Sequence, residues 1–282
     1  VSFFGFMRNF TTQQLALAGL VAAVYAVLSL VFQPISFGVY QVRVAEALTV
    51  LPFLVGAAIP GLFVGCLLAN ILGGMGWLDI VFGPLITLVA GILTYYAGRL
   101  RNRTLVEICA LSVIALMWAG AVYLLTSFEF SSKTIAGTAL SLAGLLPVVF
   151  VSFGRRKVDA LMKERFWTMA TVSLIIIVVS IPLLKRIDDL YLLICGSLLL
   201  VAAMFSAITL TWIWLNEQPP GILLAPLPPV VLNAFGVSAY LAGIIGVDYW
   251  FCVQMIGVGQ LIACYVLGLP ILLILRRRNI FG

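Results

Sequence analysis

Histidine is absent from the 282 residues, and charge is scarce: only 9% of the chain is Asp, Glu, Lys or Arg. Without histidine the commonest general base and metal ligand is missing, which excludes hydrolase triads and zinc proteases. A soluble domain carries about a quarter charged residues, so an ordinary soluble protein is excluded too. No CxxC pair occurs, and Cys66, Cys109, Cys195, Cys252 and Cys264 each fall inside an apolar run. That speaks against disulfide or metal chemistry, and neither a metal nor a cofactor is expected. No charged region followed by a small-residue cleavage site precedes the first apolar run, so no cleavable signal peptide is expected. A GxxxxGK[ST] loop is also missing, so any ATP hydrolysis must come from another protein.

What is present is apolar. Hydrophobic residues make up 63% of the chain, and the mean hydropathy is +1.21. They come in runs long enough to cross a bilayer, at about 20 residues each. Clear candidates are residues 15–32, 78–98, 105–125, 135–153, 166–184, 190–215, 223–245 and 251–275. The stretch 44–73 has Glu46 near one end and Pro52 and Pro60 inside. Proline disrupts a helix interior, so a hairpin of two short helices broken near residues 56–60 is preferred to one long helix. The expected fold is therefore an all-α polytopic membrane protein with ten transmembrane helices.

The net charge of +6 does not indicate a nucleic-acid partner, because the basic residues cluster between apolar runs as topology signals do. With ten spans and both termini in the cytoplasm, twelve lysines and arginines lie inside and four outside. A nine-span chain with an outside N-terminus scores the same, since only Arg8 and Arg43 exchange sides. The expected location is the plasma membrane.

Three blocks follow in order. Residues 1–103 are rich in small residues and proline, with polar groups placed singly. Residues 104–217 are plainer, with charges almost only in loops, and look like a four-helix insertion. Residues 218–282 open on Pro219-Pro220-Gly221 and resume the style of the first block. Four is an even number, so the insertion leaves the flanking topology unchanged.

Polar groups inside a membrane cost several kcal/mol and raise a functional question each time. Gln41, Arg43 and Glu46 stand between the first two spans, with Arg43 and Glu46 on one helix face. They fit either an interfacial ion pair that starts a helix or part of a ligand site. Asp79 follows Gly73-Gly74-Met75-Gly76-Trp77, where a carboxylate is also favoured by the helix dipole. Asn70 lies in the third span. Asn233 and Tyr240 are seven apart, on one face of the ninth, and Gln254 and Gln260 lie in the tenth. Amides in spans often only join helices, at about 0.6 kcal/mol each. Ala57, Gly61, Gly65, Ala69 and Gly73 form a stripe suited to internal packing, while Ala18, Ala22 and Ala26 form one that suits packing or a partner.

The segment Phe37-Gly38-Val39-Tyr40-Gln41-Val42-Arg43-Val44-Ala45-Glu46-Ala47-Leu48 resembles the FGxxQxRxSEAL signature of the QueT transporters. The likeness continues through Ile59-Pro60-Gly61, Asp79-Ile80-Val81-Phe82-Gly83, Leu227-Pro228-Pro229 and Cys264-Tyr265-Val266-Leu267-Gly268. It covers roughly residues 12–100 and 221–275, about half the chain. QueT proteins are substrate-binding S-components of energy-coupling factor (ECF) importers for queuosine precursors. The resemblance thus implies a six-helix S-component core, here interrupted by four extra helices, with short second and third helices. It implies a deazapurine substrate held in a pocket open to the outside and built from Gln41, Arg43, Glu46, Asn70, Asp79, Asn233, Tyr240 and Gln260. It implies a transmembrane coupling subunit, docked on Ala18, Ala22 and Ala26, and separate ATPases. Two positions where the family often carries an acid hold Tyr240 and Gln260. That exchange suits a neutral ligand such as 7-cyano-7-deazaguanine better than the cationic aminomethyl base. A solitary or homo-oligomeric transporter, in which the inserted helices replace the coupling subunit, is the alternative. An enzyme is not expected, because no nucleophile–base pair is visible.

Overall fold

The computed structural model describes residues 10–36, 42–100, 103–126, 132–153, parts of 170–208, and 220–278. All the regular structure among the described residues is helical. The chain divides into two compact units, one of residues 1–100 and 224–282 and one of residues 101–223.

The first unit opens with α1 (Thr12–Val31), capped at Thr11 by a reciprocal pair with Gln14, and the short α2 (Gln33–Ser36). A 3-10 helix (Val44–Phe53) follows, then α3 (Ala58–Leu72) and α4 (Trp77–Ala97). After the second unit the chain returns through α7 (Leu227–Leu232), a π-helical turn (Asn233–Val237) and α8 (Ser238–Ile245). It ends with α9 (Tyr249–Leu261), a second π segment (Ile262–Gly268) and α10 (Leu269–Arg277). The second unit contains α5 (Arg103–Thr126) and α6 (Ser132–Phe153), joined by the Trp118 indole, which donates to Ser141 Oγ at 3.1 Å.

Four helical stretches among the described residues are long and apolar enough to cross a membrane: Thr12–Val31, Trp77–Ala97, Gly221–Ile245 and Tyr249–Arg277. The 3-10 helix and α3 are apolar but shorter. At about 2.0 and 1.5 Å per residue they reach only some 20 Å each, less than the hydrocarbon core. The break between them falls before Ala58. Pro60 therefore sits in the first turn of α3, where its missing N–H has no helical partner to lose. The expected spans at 166–184 and 190–215 lie largely outside the described residues.

Two ends of the first unit differ in chemistry. Trp77 and Trp250 stand exposed at the starts of α4 and α9, with a half-buried Tyr249 beside Trp250. At the far ends, Arg99 stacks on the Tyr95 ring, and Arg276 and Arg277 close α10. Aromatic rings at both boundaries, with basic groups at one of them, suit the two interfaces of a bilayer. Exposed Leu, Ile and Val on the sides between them suit contact with lipid.

Close approach makes the core. Tyr25 and Val21 of α1 pack with Ala45 and Leu51 of the 3-10 helix and with Ala58, Leu62, Cys66 and Ala69 of α3. A Cβ added at Gly65 would come within 2.8 Å of Tyr25 Cβ and 2.9 Å of the Ala22 carbonyl oxygen. One added at Gly61 would come within 2.5 Å of the Ala18 carbonyl oxygen. Only glycine lets the two backbones meet this closely.

The stripe of Ala18, Ala22 and Ala26, to which the resemblance gives a docking role, lies against α3 in the structure. Ala22 and Ala26 are buried, and the Ala18 and Ala22 backbone is covered by α3 of the same chain. The glycines of α3 draw α1 inward and use up its alanine stripe. The outward face of α1 carries Leu15, Leu20, Val24, Val27 and Val31 instead.

Gly65→Ala is expected to lower the melting temperature in detergent, with overpacking costing about 1–3 kcal/mol. Gly19→Ala, on the open face of α1 with no atom within 4 Å of the added Cβ, is expected to leave it unchanged or slightly raised. Equal melting of the two variants contradicts the close approach.

Candidate functional site

The 3-10 helix that opens at Arg43 is ten residues long, where such helices rarely exceed four. At three residues per turn, Arg43, Glu46, Thr49 and Pro52 stack on one side. Glu46 is thereby carried into the core at 1% exposure, and Arg43 is also buried. The sequence leaves open an interfacial ion pair; in the structure the pair is present but buried, with Arg43 Nη1 4.0 Å from Glu46 Oε1. Arg43 turns its Nε toward the Ser36 carbonyl oxygen at 3.5 Å and its Nη1 toward Cys66 Sγ at 3.8 Å.

The closest partner of Glu46 comes from α1. The Tyr25 hydroxyl donates to Oε1 at 2.6 Å. Thr49 Oγ1 donates to the Glu46 carbonyl oxygen at 2.6 Å, and Cys264 Sγ lies 3.5 Å from the same atom. Cys264 belongs to the second π segment, which packs so tightly that a Cβ at Gly268 would lie 2.9 Å from the Ala47 carbonyl oxygen. Gln260 enters through this segment, with Oε1 3.8 Å from Cys264 Sγ. The single S–H of Cys264 thus has two acceptors within reach, the Glu46 carbonyl oxygen and Gln260 Oε1.

Asn70 is wholly buried near the end of α3. Its Nδ2 donates to the Asp79 carbonyl oxygen at 2.7 Å, across from Gly83 of α4. A Cβ at Gly83 would come within 2.7 Å of that nitrogen, so the glycine makes room for the amide. Asp79 occupies the first turn of α4, but Gly76 holds the N-cap position. Its carboxylate accepts from the Tyr240 hydroxyl at 2.8 Å rather than capping the helix. The Phe82 ring lies beside Tyr240, with centroids 6.2 Å apart.

The first π turn decides where Asn233 and Tyr240 go. In an α-helix seven residues would bring them to one face. The wider turn at Asn233–Val237 changes that phase. Asn233, at 3% exposure, approaches Glu46, while Tyr240 reaches Asp79.

Arg43, Glu46, Asn70, Asp79, Tyr240 and Gln260 thus belong to one connected polar array, with Asn233 beside it. Gln41 lies outside the described residues, and Gln254 is exposed and apart. Tyr25, Thr49, Cys66 and Cys264 were not singled out by the sequence reading. The signal for Tyr25 was available, as a hydroxyl in the middle of an alanine-rich span.

Three buried atoms in this array have no hydrogen-bond partner: Glu46 Oε2, Asn70 Oδ1 and Asn233 Nδ2. Buried polar atoms are rarely left so, and each costs about 1–3 kcal/mol. The array therefore holds two open acceptors and one open donor. That complement suits a small ligand with N–H groups and a carbonyl oxygen. Among the described residues no group of three metal-ligating side chains occurs.

A comparison with family models matches the QueT transporter family over residues 15–189 and 187–277. The chain belongs to the QueT transporter family. The match takes in the middle block as well as its flanks. No curated protein and no solved structure matches the chain. As a QueT transporter it is a membrane protein of transport, and its array of open polar atoms lies within the first unit.

Asn70→Ala is expected to destabilise the QueT chain by about 1–2 kcal/mol through loss of the bond to Asp79. Gly83→Ala should cost a similar amount alone and almost nothing added to Asn70→Ala, because the obstructed amide is then gone. Thermal melting of the two single variants and the double variant reads this coupling. Full additivity contradicts the contact.

Proposed function

We propose that the chain is the membrane-embedded substrate-binding subunit for uptake of a queuosine precursor, a 7-deazapurine. The observation that carries the reading is the set of unpaired buried atoms, Glu46 Oε2, Asn70 Oδ1 and Asn233 Nδ2. A 2-amino-4-oxo base edge has two N–H donors and one carbonyl acceptor, the converse of that set. Membership of the QueT family supports the substrate class. Tyr240 and Phe82 supply aromatic faces near Asp79, as a planar base would use.

In this reading the core consists of six helices, with residues 104–217 as a four-helix insertion and ten spans in all. Both termini are cytoplasmic, in the plasma membrane, and Trp77 and Trp250 mark the outer interface. The compact unit of residues 101–223 supports treating the middle block as a separate region. Energy comes from separate coupling subunits with ATPases. That same compact unit is also what favours the second reading, a solitary transporter in which the inserted helices replace the coupling subunit.

Calorimetric titration of the purified chain with 7-cyano-7-deazaguanine, the aminomethyl base and queuine tests the proposal. The neutral cyano base is expected to bind tightest, since neither Tyr240 nor Gln260 supplies a charge for an ammonium. Glu46→Ala is expected to weaken binding by about a hundredfold with the fold intact, the loss of one charge-assisted hydrogen bond and its orientation. Unchanged affinity in that variant contradicts the site.

A further inference from the structure

Tyr25 is among the largest wholly buried side chains in the protein. At its root α3 comes close through Gly65, where an added methyl group would lie 2.8 Å from Tyr25 Cβ. Its hydroxyl donates to Glu46 Oε1 at 2.6 Å, the shortest side-chain contact of that carboxylate. Arg43 approaches the same oxygen, at 4.0 Å. The main chain of Glu46 is held independently by Thr49 Oγ1 and Cys264 Sγ on its carbonyl oxygen. Among the described residues the Tyr25 hydroxyl and the Arg43 guanidinium both approach Oε1, and Oε2 has no hydrogen-bond partner. The Asn233 side chain stands close by.

We propose that Tyr25 is a positioning residue for ligand binding: by occupying Oε1 it fixes the Glu46 carboxylate and presents Oε2 to an N–H donor of the ligand. The proposal rests on the reading of this array as a base-binding site. A carboxylate with both oxygens open takes adjacent N–H groups as a fork. Here one oxygen is already engaged, so Glu46 takes a single N–H. Asn70 Oδ1 is a further buried acceptor of the array without a partner.

The test pairs a ligand-free readout with a titration. Infrared difference spectra between the chain and its Glu46→Gln variant isolate the carboxyl stretch of residue 46. In a Tyr25→Phe background that band is expected to move, because the hydroxyl that polarises Oε1 is gone. Affinity for 7-cyano-7-deazaguanine is expected to fall about tenfold in Tyr25→Phe. In the Glu46→Gln background the same change is expected to cost less than about twofold, since the two residues act as one unit. A merely structural tyrosine would lower the melting temperature without moving the band. An unmoved band, or wild-type affinity in a well-folded Tyr25→Phe chain, overturns the proposal whichever bases bind. A shifted band in a chain that binds none of the three bases overturns the deazapurine reading and leaves Tyr25 as the group that fixes Glu46.

Discussion

A carboxylate is costly in the core of a membrane protein unless something holds it, and Glu46 is held by the Tyr25 hydroxyl together with the Arg43 guanidinium. Its nearest guanidinium nitrogen is 4.0 Å away, while Tyr25 lies at 2.6 Å. Much of the first unit can be understood as the apparatus that makes this placement tolerable. Residues Gly61 and Gly65 bring α1 against α3 so that Tyr25 reaches across. The long 3-10 helix stacks Glu46 over Thr49, whose hydroxyl returns to the Glu46 carbonyl oxygen. What the apparatus leaves open is one oxygen of the acid.

Irregular helices recur at three places in the array. The 3-10 helix carries Arg43 and Glu46, one π turn begins at Asn233, and the other contains Cys264 just after Gln260. Irregular turns cost hydrogen-bond geometry and are common at functional sites. Here each re-aims a polar side chain that a regular helix would direct elsewhere. The π turn at Asn233–Val237 sends Asn233 and Tyr240 to different acids, although their spacing in a regular helix would have kept them together.

Much of this was legible in the sequence. The long apolar runs predict the spans around α1, α4 and the two C-terminal rods, because hydropathy reports length and composition directly. Pro52 and Pro60 predict the interruption of residues 44–73, though not that its first half is a 3-10 helix. Isolated polar residues in apolar context point to Glu46, Asn70, Asn233 and Gln260, since burial of such groups demands a reason. What was not legible depends on packing. The Ala18–Ala22–Ala26 stripe fits a partner as well as it fits α3, and only the third dimension shows that Gly61 and Gly65 use it. Tyr25 was passed over because tyrosine is unremarked in a membrane span until its hydroxyl meets an acid 21 residues on.

In the proposed reading, the unpaired atoms beside Glu46 are a ligand's contacts, so the protein as purified should carry what fills them. Mass spectrometry of small molecules released from the detergent-purified chain tests this most directly. The account predicts a 7-deazapurine in the released fraction of the wild-type chain, and its absence from a well-folded Glu46→Ala chain purified in parallel. A released compound of another class, or the same deazapurine in equal amount from both chains, would contradict it.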